Sequence, residues 1–303
     1  MSIASPGVMR SFSRCSEFIA ALVVLIAHAA LGHEGQRVVV QSDGKQHEFL
    51  IDKKLGAGGF STTYEGRNVA TNEKVAIKIL HSELLEKRYD TSSFEKEHSI
   101  LSAVVGKHRA LPRSFGIGKV EDGTPAMVME LIHGKTLGSW TGETAQRPPG
   151  KSIRIALELL GATEALHRAG KRHNDIHPGN IMIDNEQSIS TKLVDMGNAS
   201  SSTDRFDHKG TYYLAPEQAA GGPGTHGRIN NDIYSVGKVL IEMLTGKKTN
   251  DLNEVPPLTQ LVNGRAVRLH DVLAKATMPD PAKRYQTDAE FAAALRPFSL
   301  HNP

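Results

Sequence analysis

Three short strings in fixed order constrain the fold of this chain more than any other feature. They are GAGGFS at 56–61, VAIK at 75–78 and HNDIHPGN at 173–180. The first is a glycine-rich turn between β-rich runs, and the second is an apolar strand that ends on a lysine. A lysine inside an apolar strand costs free energy unless an acidic group pairs with it. The chain must therefore bring distant segments together around this lysine.

Composition limits the classes of protein to consider. The chain has 303 residues, of which 39% are hydrophobic and 23% are charged, which is enough for one large core or two lobes. The formal net charge is only +3, so charge does not indicate a nucleic acid partner and we expect none. The single cysteine, Cys15, excludes a disulfide within the chain and a cysteine-ligated metal site.

The first 32 residues differ from the remainder of the chain. Arg10 and Arg14 precede an apolar run of about ten residues, 18–27, with small residues after it. This order is typical of a secretory signal peptide, which is our first interpretation of segment 1–32. An uncleaved membrane anchor is the second interpretation, and a transit peptide is the third. We expect a secreted or membrane-anchored protein whose N-terminal segment engages the membrane or the secretion machinery.

The glycine-rich turn is the first candidate for phosphate binding. β-rich runs flank it, and 62–66 is the returning strand. Because glycines carry no side chains, the backbone N–H groups of Gly58, Gly59 and Phe60 can approach phosphate oxygens closely. Glycines alone would favour an ordinary flexible hairpin tip, so this prediction depends on the lysine that follows.

Lys78 requires an acidic partner, and a segment with helical periodicity at 94–101 supplies one. In that segment Glu97 shares a helix face with Leu101, four residues later. Most helical glutamates are merely solvated. The upstream lysine favours Glu97, rather than Glu95, as the residue that pairs with it.

Two further strings complete a pattern: DMG at 195–197 and APE at 215–217. With these five strings in register, the chain resembles the protein kinase family over roughly 38–298. The resemblance implies an α+β, two-lobed fold. A small antiparallel β-sheet lobe with one main helix would cover about 38–132, and a larger, mainly helical lobe about 133–298. ATP and Mg²⁺ are the cofactors that this family uses.

The resemblance also assigns the residues that contact the nucleotide. Lys78 would grip the α- and β-phosphates, Met129 would be the gatekeeper, and Ala76 and Met182 would sandwich the adenine ring. Plain core packing is the alternative role for such apolar side chains. The full set of implied nucleotide contacts is Leu55, Gly56, Ala57, Gly58, Gly59, Phe60, Ser61, Thr63, Ala76, Lys78, Met129, Glu130, Ile132 and Met182, with Glu130 and Ile132 acting through their backbones.

The third string carries the chemistry. A carboxylate must orient the acceptor hydroxyl and take its proton, and Asp175 fits that role. Asn180 and Asp195 supply the two oxygen ligands that Mg²⁺ accepts beside phosphate oxygens and water. The implied catalytic residues are Asp175, Lys78, Glu97 and His177.

The chain departs from the family pattern near the nucleotide and in the catalytic loop. Ser61 replaces the third glycine of the loop, and Thr63 replaces the usual valine. Asn174 replaces an arginine that binds a phosphorylated activation loop. We therefore expect activity that does not depend on such phosphorylation.

Two more departures concern the acceptor side. His177 replaces a lysine common in serine/threonine kinases, and its charge depends on pH. The stretch 210–217 is one residue shorter than the family's usual stretch. Either Gly210 or Thr211 therefore takes the place of the threonine that contacts the catalytic aspartate.

We therefore expect a Mg-ATP-dependent protein kinase that phosphorylates Ser or Thr hydroxyls of a protein substrate. EQA at 217–219 resembles bacterial-type serine/threonine kinases, and Arg284 is the expected salt-bridge partner of Glu217. The first alternative is a small-molecule phosphotransferase of the sugar or aminoglycoside type, supported by HPGN at 177–180. The second is a non-catalytic nucleotide-binding scaffold, favoured by Asn174 and Ser61.

Overall fold

The computed structural model describes residues 32–42, 44–81, 92–140, 146–185, 190–198, 212–221, 227–262 and 264–299. The segment 1–31, which holds most of the predicted signal peptide or anchor, lies outside these residues. So do Gly210 and Thr211, the two candidates for the threonine position. Among the helices that the structure describes, none combines the length and the apolar character needed to span a membrane.

The smaller lobe consists of six antiparallel strands. They are β1 (Arg37–Ser42), β2 (Lys45–Ala57), β3 (Ser61–Asn68), β4 (Lys74–Leu80), β5 (Ser114–Val120) and β6 (Pro125–Glu130). Their order, β1-β2-β3-β4-β6-β5, closes into a barrel because β1 also pairs with β5, with Val38 opposite Val120. The sheet is antiparallel, as predicted. Its two edges meet because β1 pairs with β2 on one side and with β5 on the other.

Glycines in β5 allow this closure. A Cβ atom on Gly118 would overlap the backbone carbonyl oxygen of Val39 in β1. A Cβ on Gly116, whose φ is +138°, would overlap the side chain of Val40. Without side chains at these positions, β1 approaches closely and its alternate residues enter the barrel core. Val38 and Val40 are fully buried there.

One helix of the smaller lobe, α1 (Ser92–Ala103), packs outside the barrel. Its inward residues Phe94, Ile100 and Leu101 are buried, as the periodicity of 94–101 predicts. They belong to the apolar cluster that continues into the larger lobe, not to the barrel core. The helix therefore lies where the two lobes meet, which positions Glu97 to face the space between them.

The larger lobe is mainly helical. Its helices are α2 (Leu137–Trp140), α3 (Pro149–Arg168), α4 (Pro216–Ala220), α5 (Ile229–Thr245), α6 (Leu269–Ala276) and α7 (Asp288–Leu295). Its strands are β7 (Lys135–Thr136), β8 (Ile181–Asn185), β9 (Ser190–Leu193), β10 (Thr259–Val262) and β11 (Arg265–Arg268). Strands β7, β8 and β9 form one sheet, and β10 pairs with β11.

Helices α3 and α5 form the centre of this lobe. Helix α3 begins at Pro149, because a proline is well tolerated in the first turn of a helix. Helix α5 ends at Gly246, whose φ of 76° is the left-handed conformation of a helix C-cap. Together these helices support the loop 173–180, which follows α3 directly.

Candidate active site

Lys78 lies in a charged cluster between the two lobes. Its Nζ is 2.9 Å from Oε2 of Glu97 on α1 and 3.1 Å from Oδ1 of Asp195, which follows β9. The Glu97 carboxylate is buried, and its Oε1 accepts the backbone N–H of Met196 at 3.2 Å. The contact predicted between Lys78 and Glu97 is therefore present. Asp195, which the sequence indicated as a metal ligand, contacts the same ammonium group.

The charge of Lys78 is stabilised by this arrangement. Burial alone would lower the pKa of Lys78, but the carboxylates of Glu97 and Asp195 outweigh burial and raise the pKa above its usual value. Burial likewise would raise the pKa of Asp195, and the nearby ammonium lowers it instead. The lysine is thus cationic, and the aspartate anionic, throughout the physiological pH range.

The glycine-rich turn joins β2 to β3 above this cluster. The N–H of Gly58 donates to the carbonyl of Ser61 at 2.8 Å, so in this conformation that N–H is used within the turn. Gly56 and Gly59 lack positive φ angles, and a Cβ on either would meet no atom within 4 Å. Neither packing within the described residues nor backbone strain requires glycine there. A ligand that approaches the backbone closely would require it.

The rim of the turn carries exposed apolar side chains. Leu55 is 48% exposed and Phe60 is 64% exposed, so both side chains are accessible to a ligand beside the turn. The other predicted contacts around the turn lie at strand ends: Ala57 in β2, and Ser61 and Thr63 in β3. Thr63 lies opposite both Gly56 and Lys78 in the strand pairing.

The predicted adenine pocket lies at the junction of the lobes. Ala76 and Met129 are paired across β4 and β6 and both are buried, while Met182 on β8 in the larger lobe is half-buried. The backbone N–H of Glu130 already donates to the carbonyl of Arg113 at 2.8 Å. A base would therefore have to use the carbonyl of Glu130 or the backbone of Ile132, which follows β6.

The loop 173–180 is shaped by Asp232 near the start of α5. This carboxylate is fully buried and accepts the backbone N–H groups of His173 at 2.9 Å and Asn174 at 2.8 Å. Asn174 has a φ of 64°, a left-handed conformation that asparagine tolerates better than most residues. Its side chain is fully buried. The residue that replaces the usual arginine is thus part of the core of this loop.

Asp175 and Asn180 lie together at the mouth of the loop. The side-chain amide of Asn180 donates to the backbone carbonyl of Asp175 at 3.0 Å and lies 3.4 Å from its Oδ2. The amide oxygen of Asn180 is then the atom that remains for a metal ion. In the part of the chain that the structure describes, no group of three or more His, Cys, Asp or Glu side chains could hold a metal. Asn180 and Asp195 offer two oxygen ligands, which is the small number that Mg²⁺ takes from a protein when phosphate oxygens and water complete its shell.

His177 lies beside Asp175, with 3.9 Å between its Nε2 and Oδ2 of the aspartate. Its Nδ1 accepts the backbone N–H of Gly179 at 3.1 Å, which places the proton of the neutral ring on Nε2. Burial lowers the pKa of His177 despite the opposing charge of Asp175. The neutral form therefore predominates at pH 7. The ring also stacks on Tyr213, with 6.3 Å between centroids.

Sequence reasoning missed a buried chain of polar groups beneath this loop. His167 on α3 lies between two carboxylates, with Nε2 2.8 Å from Asp232 and Nδ1 2.5 Å from Asp288 on α7. Asp288 also accepts the hydroxyl of Thr163 at 2.7 Å. A histidine near the end of an amphipathic helix is usually solvated, so its position gives no sign of buried partners. Asp232, an acidic residue near the start of the apolar helix α5, is the one sequence signal that could have indicated this buried group.

The predicted pair of Arg284 and Glu217 is present. Two parallel hydrogen bonds of 2.7 Å join the guanidinium to the carboxylate, and Arg284 is buried. Arg284 also donates to the carbonyls of Met278 and Pro279. The pair fastens the start of α4, and with it the segment 212–215, to the base of the larger lobe.

Comparison with known proteins shows the family of this chain. The family model described as "Protein kinase domain" matches residues 49–289. The serine/threonine-protein kinase PknL of Mycobacterium tuberculosis is 32% identical over 280 residues, covering 86% of this chain and 68% of the relative. The serine/threonine-protein kinase PrkC of Bacillus subtilis is 28% identical over 266 residues, covering 82% of this chain and 40% of the relative.

Solved structures show the same fold. The crystal structure of the PknI kinase domain of Mycobacterium tuberculosis superposes with a TM-score of 0.61 at 22% sequence identity. The match covers 82% of this chain and 95% of that domain. The match to the family model begins at residue 49, after strand β1. The strand that closes the barrel therefore lies outside the matched region.

Proposed function

Because this chain belongs to the protein kinase family and is a serine/threonine-protein kinase, we propose that the site between its lobes binds Mg-ATP and supports phosphoryl transfer through the residues described above. One observation carries this assignment. Lys78 contacts Glu97 on α1 and Asp195 beyond β9 at the same time. These groups come from three separate segments, and phosphoryl transfer depends chiefly on such positioning of charge.

Each residue of the site has a task in this proposal. Lys78, oriented by Glu97, binds phosphate oxygens of the nucleotide. Asn180 and Asp195 would hold Mg²⁺, which when bound neutralises charge on the phosphates. Asp175 orients the Ser or Thr hydroxyl and accepts its proton as the hydroxyl oxygen bonds to the γ-phosphorus and ADP leaves.

The state of Asn174 suggests how the site is regulated. A buried amide cannot bind a phosphate on the segment 199–211, whereas an arginine at that position could. We propose that the catalytic loop takes its shape from Asp232 rather than from phosphorylation. Phosphatase-treated protein should keep its activity. Activity that disappears on this treatment and returns on phosphorylation of 199–211 would refute the proposal.

The acceptor class is tested by offering the purified protein Mg-ATP with a generic protein, a sugar or an aminoglycoside. We expect phosphoserine or phosphothreonine in the protein and no phosphorylated small molecule. Asp195→Ala should abolish transfer, because the variant loses a metal ligand. Phosphorylation of the small acceptors alone would contradict the proposed use of the site. If neither the wild type nor Asp195→Ala turns over Mg-ATP, the scaffold alternative is favoured.

For the N-terminus we propose that segment 1–32 directs the chain to the membrane or the secretion machinery. The basic residues and the apolar run of the sequence support this proposal. Because ATP is abundant only inside cells, an anchored form with its kinase domain facing the cytosol, or delivery into another cell, reconciles export with catalysis. The N-terminal residue of the mature protein tests it: a start at Met1 in a fraction free of membranes would contradict it.

A further inference from the structure

Lys248 lies beside Tyr213, an aromatic residue that packs against the catalytic loop. It belongs to the loop after α5, its side chain is exposed, and its Nζ is 5.4 Å from the ring centroid of Tyr213. The same Tyr213 ring stacks with His177, whose Nε2 is 3.9 Å from Asp175. Burial is the main cause of the lowered pKa of His177, and the positive charge of Lys248 adds only a small further lowering. Tyr213 therefore lies between Lys248 and His177, and His177 lies next to the catalytic aspartate.

The loop that carries Lys248 is held by a buried lysine. Lys238 on α5 is only 2% exposed, and its Nζ donates to the carbonyl of Thr249 at 3.2 Å and to Oδ1 of Asn250 at 2.5 Å. Tyr212 holds the same residues, since its ring lies 3.8 Å from Nζ of Lys238 and its hydroxyl accepts the N–H of Thr249 at 3.0 Å. The residues immediately after Lys248 are thus fixed from two sides.

The carboxylates near this loop have other partners. Glu242 accepts the hydroxyl of Tyr213. Glu254 forms an ion pair of 2.9 Å with Lys247. Asp251 accepts the backbone and side-chain N–H groups of Asn253, each at 2.9 Å. Within the described ranges of the chain, Lys248 forms no ion pair, so its charge faces outward beside the acceptor site.

We propose that Lys248 is a specificity-determining residue that binds an aspartate or glutamate flanking the Ser or Thr to be phosphorylated. The proposal rests on the serine/threonine kinase activity of the site. An exposed ammonium on an anchored loop, next to an aromatic ring, favours a carboxylate over a neutral or basic side chain, because the ring excludes water from one side of the ion pair. Tyr213 forms the floor of this subsite, and the loop 247–250 forms its edge.

The effect should be moderate. Exposed ion pairs are individually weak, and partial exclusion of water strengthens them only modestly. We expect the full-length kinase to prefer acidic over neutral flanking residues by roughly three- to ten-fold in kcat/KM at one or two positions. The preference should shrink as ionic strength rises, since salt screens the exposed charge.

A positional peptide library tests the proposal directly. Each peptide carries a central serine, and one flanking position at a time is Asp, Glu, Gln or Lys. Lys248→Ala should abolish the acidic preference, and Lys248→Glu should reverse it in favour of lysine. Lys247→Glu is the matched control, because it makes the same charge change one residue away at a side chain that is already paired with Glu254. This control should keep the wild-type preference.

The outcomes separate the subsite from the activity itself. Phosphorylation of neutral peptides without any acidic preference in the wild-type protein would overturn the subsite and leave the kinase assignment intact. An acidic preference that persists in Lys248→Glu, or that Lys247→Glu removes equally, would also overturn it. Failure to phosphorylate any peptide would overturn both the subsite and the proposed use of the active site.

Discussion

Replacing Asp288 with asparagine should make the stability of this protein less dependent on pH. Asp288 contacts His167, which contacts Asp232, which in turn fixes the backbone of the loop that bears Asp175. Asparagine has nearly the same shape and can still accept the hydroxyl of Thr163. The substitution therefore leaves the packing in place and removes one of the two negative charges that face the histidine.

The pKa of His167 gives the expected magnitude. Burial alone would lower this pKa, but the carboxylates of Asp232 and Asp288 raise it from 6.5 to about 9. A shift of this size corresponds to roughly 3 kcal/mol of unfolding free energy. Two carboxylates share the imidazolium, so the loss of Asp288 should cost about 1–2 kcal/mol.

The sign of the pH dependence follows from the direction of the shift. A histidine whose pKa is higher in the folded state contributes its full stabilisation below its unfolded pKa of about 6.5. That contribution disappears as the pH rises through about 9, the folded value. The difference in unfolding free energy between wild type and Asp288→Asn should therefore be large at about pH 6 and small above about pH 9.5.

Urea unfolding at several pH values measures this difference. Asp280→Asn is the matched control, because Asp280 is an exposed aspartate whose ion-pair partner is Lys283 rather than a histidine. The control should show no change of slope between about pH 6 and 9.5. A destabilisation by Asp288→Asn that stays constant over this range would refute the reasoning, since it would show that His167 does not carry the charge.

Three further predictions concern the active site. Lys78→Met should lower kcat/KM by about 10²-fold or more, or ~3 kcal/mol, because the phosphates lose their positive counter-charge. Lys74→Met is the control and should leave kcat/KM unchanged, since Lys74 is an exposed lysine paired with Glu65. Near-normal activity of Lys78→Met in a phosphorylation assay would contradict the role of Lys78. Gly59→Ala should leave the melting temperature unchanged, since its Cβ meets no protein atom, and should weaken ATP binding in calorimetry; unchanged affinity would show that the turn does not approach phosphate. His177→Lys should keep or raise protein phosphorylation at pH 7 and remove the dependence of the rate on pH near the lowered pKa of His177. A stably folded His177→Lys variant with an unchanged pH–rate profile would exclude a role for this charge.

The sequence was sufficient for prediction where a costly buried charge needed a partner and a nearby segment offered one. A lysine in an apolar strand needs an acidic partner, and the helical periodicity of 94–101 left Glu97 as the inward choice; the structure has this pair at 2.9 Å. The same periodicity places Phe94, Ile100 and Leu101 inward, and all three are buried. The pair of Arg284 and Glu217 was predicted from family resemblance rather than from any local pattern.

Sequence reasoning failed where partners are far apart and locally unremarkable. Closure of the barrel depends on β5, whose Gly116 and Gly118 lower its apparent strand character while permitting the approach of β1. Lys238 and Asp288 are charged residues on helices, a pattern that normally indicates a solvated face. Their burial depends on tertiary partners, Thr249 for the lysine and His167 for the aspartate, which no local periodicity reveals.

In the proposed mechanism Asp175 acts on the acceptor hydroxyl, whereas Lys78, Asn180 and Asp195 serve the nucleotide. The most direct test of this mechanism is Asp175→Asn, measured both for Mg-ATP binding and for transfer of labelled γ-phosphate to a serine peptide. We predict nucleotide affinity within about two-fold of wild type and transfer slower by about 10²–10⁴-fold, the usual contribution of a positioned proton acceptor. Transfer at a near-wild-type rate, or loss of nucleotide binding together with transfer, would contradict this division of roles.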